Sequence, residues 1–153
     1  TVVGQCVGAD RYDEARYYVK KLFKYSYLIL IGLNLIMFAA YPLILGLYNL
    51  QSETEAVAWN LCIAHGIGAC TLWAMSFSLP NVLRAAGDVR YTMIVSVVSM
   101  WVFRIMLCMG FSYFTDLGIY GVWIAMFADW ACRSTCFIWR YRSNRWQGKR
   151  AIE

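Results

Sequence analysis

The sequence has few of the side chains from which enzyme centres and metal sites are built. It contains one histidine, His65, and nine acidic residues among 153, and 15% of its residues are charged. It contains no C-x-x-C pair, no G-x-S-x-G and no phosphate-binding glycine loop. Most of its six cysteines lie in apolar stretches, where they serve as small packing residues rather than as a disulfide or metal framework. The sequence therefore predicts no enzyme, no metal site and no resident cofactor.

Basic residues are also absent from every second gap between the apolar stretches. Four such stretches, 24–48, 55–80, 91–113 and 117–139, are long enough to span a bilayer, since a spanning helix needs about 20 residues. The gap 49–54 and the turn around Asp116 contain no Lys or Arg. Apart from Arg104 and Arg133, every basic residue lies in the other gap or near the two ends: Arg11, Arg16, Lys20, Lys21, Lys24, Arg84, Arg90, Arg140, Arg142, Arg145, Lys149 and Arg150.

This alternation of charge orients a membrane protein, because basic loops stay in the cytoplasm. We predict an all-α integral membrane protein, an antiparallel bundle of four complete transmembrane helices plus the end of a fifth. It would be a multi-pass protein of the cell inner (plasma) membrane with a cytoplasmic C-terminus. The basic residues behind the net charge of +5 then orient the helices in the membrane and contact anionic headgroups of the lipid bilayer. They do not indicate a nucleic-acid partner, as the same charge on a soluble protein would.

The chain is expected to form a single partial transmembrane domain, 1–153. Residues 1–9, TVVGQCVGA, resemble the end of a truncated helix because the chain opens inside an apolar phrase without Met. We predict that residues 10–23 form an amphipathic cytoplasmic connector and that residues 140–153 form a basic cytoplasmic tail. We therefore expect the sequence to be a piece of a longer protein.

Three charged residues, Arg104, Asp129 and Arg133, lie at bilayer depth, where charges are costly and usually face partners or water. Counting the helical rise places Arg104 about 20 Å and Asp129 about 17 Å from the same membrane side. We predict that Arg104 and Asp129 form an ion pair or share a small polar network. Arg133 either joins Asp129 one turn away or extends to the interface. The group is either a fixed staple between the last two helices or a proton- or ion-linked switch.

Four other residues are candidates for lining a cavity: Asn34, Asn60, His65 and Trp73. His65 is the side-chain type that titrates near neutral pH, and Trp73 offers an aromatic face. Each also has an ordinary packing interpretation, as a hydrogen-bonded or lipid-facing side chain.

Several phrases resemble the multidrug and toxic compound extrusion (MATE) family. They are VVGQCVGADRYDEA, YPLILGLYNLQSETE, SLPNVLRAAGDVRYT and a last helix with DW-x-x-R followed by RYRSNRW. The most specific motif residues are Gly4, Gln5 and Gly8 in the first phrase and Arg84, Gly87 and Asp88 in the third. The third phrase is similar to the family's L-R-G-x-G-D loop, with Ala85 in place of glycine.

The resemblance implies the C-terminal portion of the second lobe of a transporter with roughly twelve helices in two lobes. Family members exchange Na⁺ or H⁺ for cationic or aromatic compounds by alternating access. The implied partners are a small-molecule substrate and the missing N-terminal lobe of the same chain. Some members use an acidic residue near the position of Trp73, but 56–87 contains no Asp or Glu. The resemblance therefore places the coupling-ion site in the missing half.

Two alternatives to multidrug efflux remain open at this stage. A lipid-linked saccharide flippase of the same superfamily should show a more cationic central cavity. A non-transport four-helix membrane scaffold protein would be complete in itself and form a stable oligomer.

Overall fold

The computed structural model describes residues 1–48 and 51–148. It is 88% helical, with no strand in that part of the chain. Five helices follow one another: α1 Val2–Gly8, α2 Tyr12–Tyr48, α3 Ser52–Ala85, α4 Val89–Phe114 and α5 Ile119–Arg142. The architecture confirms the predicted all-α membrane helix bundle. Residues 149–153 of the predicted tail lie outside the described residues.

The predicted connector and the first predicted span belong to one helix. α2 runs without a break over 37 residues, and Asp13 and Glu14 in its first turn complement the positive end of the helix dipole. A helix of this length extends about 55 Å, well beyond the ~30 Å hydrocarbon core. Its charged first turns therefore project beyond the apolar part of the bundle, at what we call the basic end. The basic end comprises the start of α2, the Ala85–Val89 turn and the end of α5.

Two helices contain wide π-helical turns. In α3 the π-helical segment is Ala69–Ser78, and in α4 it is Met100–Leu107. The segment in α3 ends just before Pro80, which has no backbone N–H to donate to the carbonyl of Ser76. The wider turn accommodates the proline ring and the unpaired carbonyl without ending the helix.

Within the described residues, α2, α3 and α4 are long and apolar enough to cross a membrane. α5, which corresponds to the predicted span 117–139, is 24 residues long but carries Asp129 and Arg133. Its buried residues include a row that repeats every four positions, Gly121, Ala125, Asp129, Arg133 and Phe137, and beside this row Trp130 and Ser134 are buried as well. This face packs against α3 and α4, so the charges of α5 face protein rather than lipid.

An apolar core holds the basic end together. Its buried members are Val3, Val7, Ala15, Val19, Leu79, Leu83, Ala86, Phe137 and Trp146. The chain turns back after α5, so that Trp146 is almost fully buried and stacks on Tyr141 at 5.5 Å between ring centres. Trp146 also meets the edge of Tyr12 at 5.9 Å and donates Nε1–H to the carbonyl of Tyr141 at 3.0 Å. The start of the predicted tail is thus part of the folded core.

We predict that Trp146→Ala destabilises the protein by about 3–5 kcal/mol, the usual cost of deleting a large buried aromatic side chain. The matched control is Trp101→Ala, because Trp101 is 58% exposed on the apolar surface of α4. Unfolding by sodium dodecyl sulfate in mild detergent micelles, followed by circular dichroism, measures both changes. Equal losses in the two variants would contradict the assignment of Trp146 to the core.

Candidate functional site

The site is built around a carboxylate buried between α4 and α5. The side chain of Asp129 is fully buried, and its Oδ1 accepts hydrogen bonds from the Ser99 hydroxyl and from Arg133 Nε, the latter at 3.0 Å. Arg133 also donates Nη2–H to the carbonyl of Ser96 at 3.3 Å. Its guanidinium lies 5.6 Å from the ring centre of Phe77 on α3. One ion pair therefore joins three helices inside the bundle.

The structure corrects the predicted partner of Asp129. Asp129 pairs with Arg133 on its own helix, whereas Arg104 is exposed and lies outside this network. Two contacts define the register of α4 against α5: Ser99 with Asp129, and Asp88 with Arg140. The two contacts are eleven residues apart on each helix. In this antiparallel register Arg104 is five residues, or about 7 Å, beyond the level of Asp129.

The sequence analysis missed the polar face of α4. Thr92, Ser96 and Ser99 recur at i, i+4 and i+7, the spacing of one helix face. Thr92 and Ser99 are buried. Thr92 Oγ1 accepts a hydrogen bond from Arg84, the backbone carbonyl of Ser96 accepts one from Arg133, and Ser99 donates its hydroxyl to Asp129. Small polar residues at this spacing in an apolar helix are a signal for a helix interface, and that signal was available in the sequence.

A cavity of about 370 Å³ adjoins the network. Its lining combines two aromatic rings, two guanidinium groups and several small polar side chains: Trp73, Ser76, Phe77, Ser78, Pro80, Asn81, Arg84, Ser96 and Arg133. Trp73 and Phe77 are stacked, with 5.4 Å between their ring centres. Ser76 is 1% exposed, and its hydroxyl has no hydrogen-bond partner among the described residues. The predicted cavity residue Trp73 therefore lines a cavity with both aromatic and polar surface.

The charge in this cavity is positive. Arg133 is neutralised by Asp129, but Arg84 bonds to neutral groups, with Nε donating to Thr92 Oγ1 and Nη1 donating to Asn81 Oδ1, both at 3.3 Å. The cavity lining includes no Asp or Glu. Its chemistry suits a flat aromatic group beside a hydrogen-bond acceptor or an anion.

The other predicted cavity residues lie elsewhere. His65 packs between Trp123 and Trp130 at 5.6 and 5.8 Å from their ring centres. Asn34 donates its amide to the carbonyl of Leu30, one turn earlier in its own helix, at 2.9 Å. Asn60 is exposed. None of these three lines the cavity beside Arg133. Within the described residues no cluster of His, Cys, Asp and Glu is placed to hold a metal ion.

The two sequence motifs meet at the basic end. A Cβ placed on Gly4 would lie 3.3 Å from the carbonyl oxygen of Ala85, so the first motif packs directly on the second. Gly87 has φ of 88°, a left-handed conformation that favours glycine after a helix. Gln5 and Gly8 of the first motif are exposed. The motif glycines thus have clear structural roles at Gly4 and Gly87.

Asp88, the residue after Gly87, is almost fully buried and forms a two-point ion pair with Arg140. Arg140 Nε lies 2.6 Å from Oδ2 and Nη2 lies 3.3 Å from Oδ1. The hydrogen bond and charge of Asp88 raise the pKa of Arg140 above its ordinary value, despite the opposing effect of burial. The guanidinium also lies 4.5 Å from the ring centre of Tyr91. This pair fixes the end of α5 to the start of α4.

We predict strong coupling between Asp129 and Arg133 in a double-mutant cycle. Asp129→Leu and Arg133→Met should each cost about 3–5 kcal/mol, because each leaves one buried charge without its partner. The double variant should lose less than the sum of the two single losses. Denaturation of the detergent-solubilised protein measures all three.

The control cycle pairs Asp129→Leu with Arg104→Met. These two effects should add within about 0.5 kcal/mol, since the residues share no contact. Coupling of Asp129 to Arg104 larger than its coupling to Arg133 would contradict the network described here.

Known sequences give the identity of the family. The sequence model of the MatE family matches residues 1–109. The chain is 26% identical over 145 residues to the "Uncharacterized transporter YisQ" of Bacillus subtilis, with 95% of this chain and 32% of YisQ covered. It is 27% identical over 150 residues to the "Probable multidrug resistance protein YoeA" of the same organism, with 95% of this chain and 31% of YoeA covered.

A third relative is the "Probable multidrug resistance protein NorM" of Thermotoga maritima. It is 32% identical over 79 residues, which is 52% of this chain and 17% of that protein. No solved structure matches the chain significantly. The chain spans about a third of the length of YisQ and YoeA. These relatives are transporters or resistance proteins by name, not enzymes. The helix bundle, the packed motif loops and the family match together show that this chain belongs to the MatE family of membrane transporters.

Proposed function

We propose that the chain forms the C-terminal portion of the second lobe of a secondary multidrug exporter. The complete protein exchanges Na⁺ or H⁺ for cationic or aromatic compounds by alternating access between two lobes. The observation that carries this proposal is the cavity lined by Trp73 and Phe77 beside the buried Asp129–Arg133 pair. In a MatE member, such an aromatic surface next to a polar network is suited to binding part of a flat, amphiphilic substrate.

In this proposal the coupling-ion site lies outside the chain. Asp129 is the acid at bilayer depth here, and it is already paired with Arg133 and hydrogen-bonded by Ser99. A carboxylate whose Oδ1 is held in this way stabilises the bundle and has its charge balanced by Arg133, while its buried Oδ2 has no hydrogen-bond partner among the described residues. The N-terminal lobe supplies the coupling carboxylate and the opposite wall of the transport pathway.

The charge pattern sets the proposed orientation. The basic end faces the cytoplasm of the cell inner membrane, so both motif loops and the start of the C-terminal tail are cytoplasmic. The bilayer covers the apolar surfaces of α2 and α4. In the most hydrophobic segment of each of these helices, 6% of the residues are buried in the bundle.

A lipid-linked saccharide flippase is the second candidate function, and one observation favours it. Arg84 has no acidic partner among the described contacts and lines the cavity with Arg133. A guanidinium of this kind binds a phosphate group well. The two functions differ in substrate charge, and transport measurements on variants can therefore separate them.

The first experiment is to read the coding DNA upstream of Thr1. An open reading frame that continues for about seven more helices, with a second G-Q-x-x-G-A-like phrase, is the result expected for a two-lobe transporter. A start codon directly before Thr1 would overturn the two-lobe proposal and favour the four-helix scaffold.

In the complete protein, Trp73→Ala should raise KM for a flat cationic dye about two- to ten-fold, because it removes an aromatic contact from the cavity. Ethidium uptake by inverted membrane vesicles, driven by a Na⁺ or H⁺ gradient, measures this change. Trp101→Ala, on the exposed face of α4, is the matched control.

A variant at Arg84 distinguishes the two candidate functions. For a cation exporter, Arg84→Gln should leave dye transport intact or improve it, because it removes a repelling charge from the cavity. For a flippase, the same variant should abolish movement of the lipid-linked saccharide, and the wild-type protein should transport no dye.

A further inference from the structure

A second groove lies at the basic end, away from the cavity described above. It has a volume of about 390 Å³ and runs between α2, α3 and α5. Its walls are mainly apolar, with two basic residues, Lys20 and Arg142. The full lining is Val19, Lys20, Phe23, Met75, Leu79, Ile138, Tyr141 and Arg142. No residue of this lining also lines the cavity beside Arg133.

On both α2 and α5, the basic residue of the groove lies nearer the basic end than the apolar residue does. On α2, Phe23 lies one turn, or about 4.5 Å, further from the basic end than Lys20. On α5, Ile138 lies about 6 Å further in than Arg142, with Tyr141 near the level of the charge. Met75 on α3 forms part of the inner wall. The groove therefore has a cationic mouth and an apolar interior along the bundle axis.

The polar groups at the mouth are not satisfied within the described part of the chain. Lys20 and Arg142 are exposed, and neither has an ion-pair or hydrogen-bond partner there. The hydroxyl of Tyr141 is buried and has no hydrogen-bond partner among residues 1–48 and 51–148. Burial raises the pKa of Tyr141 above its ordinary value, partly offset by Arg16, so the phenol keeps its proton and remains a donor. Two cations and one donor thus line the same groove, whose lining among the described residues contains no acid.

We propose that this groove is a binding site for an anionic phospholipid. Lys20 and Arg142 hold the phosphate and the Tyr141 hydroxyl donates to a headgroup or ester oxygen. One acyl chain lies along Phe23, Met75 and Ile138. Charge complementarity favours this occupant, since the lining contains two basic residues and no acid. Lipid headgroups with negative charge bind basic pockets between helices at the cytoplasmic side of a membrane.

The amphiphilic depth profile separates a phospholipid from other occupants. A free phosphate would use the mouth alone and leave the apolar interior empty. An apolar helix from another protein would bury Lys20 and Arg142 without a counter-charge, which is costly. The proposal is independent of the transport substrate, because the groove shares no lining residue with the cavity proposed to bind that substrate.

Native mass spectrometry of the chain released from detergent micelles tests the proposal. With dioleoyl-phosphatidylglycerol added, the first bound lipid should associate at least about 25-fold more tightly than dioleoyl-phosphatidylcholine, or about five-fold for each of the two charges. Lys20→Gln with Arg142→Gln should reduce that preference by about five-fold for each charge removed. Tyr141→Phe should weaken the first phosphatidylglycerol while leaving phosphatidylcholine unchanged.

The control removes the same charge from elsewhere on the basic end. Lys21 and Arg90 are exposed and do not line the groove, so Lys21→Gln with Arg90→Gln should keep the preference. An equal loss in the two double variants would show diffuse attraction and overturn the proposal.

A third variant tests the apolar interior without changing the charge. Ile138→Trp should fill the groove and reduce binding of the first phosphatidylglycerol several-fold, with helicity checked by circular dichroism. Unchanged binding in Ile138→Trp, or full displacement of the lipid by millimolar inorganic phosphate, would overturn the acyl-chain part of the site and with it the proposal.

Discussion

The constraint on which this bundle depends is the burial of one carboxylate. Asp129 is fully buried among apolar helices, where an unpaired charge is prohibitively costly. The cost is offset only because Arg133 lies one turn away and Ser99 faces it from α4. That requirement fixes the rotation of α5 and its register against α4. The register in turn places Phe77 and Arg133 at the same cavity.

A second buried ion pair repeats this logic at the basic end. Asp88 and Arg140 lie eleven residues from Ser99 and Asp129, or about 16 Å along each helix. Fixed at two levels, α4 and α5 cannot slide past each other without breaking the Asp88–Arg140 ion pair and the Ser99–Asp129 hydrogen bond. The Ser134 hydroxyl adds a bond to the carbonyl of Leu72 on α3. Polar contacts at several levels thus join α3, α4 and α5.

The sequence predicted the helices well because length and hydropathy are local properties. It also placed a gap between the spans 55–80 and 91–113. Gly87 lies in this gap between two apolar periodic segments, a position that indicates a helix end. It did not predict the partner of Asp129, because the depth of Arg104 was counted from Tyr91 and that of Asp129 from Arg140, as if those two residues were level. The contact of Asp88 with Arg140 shows that Tyr91 lies about 4.5 Å further into the bundle. The polar face of Thr92, Ser96 and Ser99 carried the needed information, but a count of charges alone overlooks serine and threonine.

Under the proposed exporter function, the positive charge of this cavity limits how a cationic substrate can be bound. Arg84 repels a cation at short range, and the ion pair of Arg133 with Asp129 has little net charge to offset it. The stacked rings of Trp73 and Phe77 attract a cation only weakly by comparison, by about 0.5–2 kcal/mol. Under the proposed exporter function, a substrate in this cavity places its aromatic part against Trp73 and Phe77 and its positive charge elsewhere. The acidic surface that holds that charge then comes from outside the residues that line this cavity, so the cavity supplies an aromatic wall rather than the centre of charge selection.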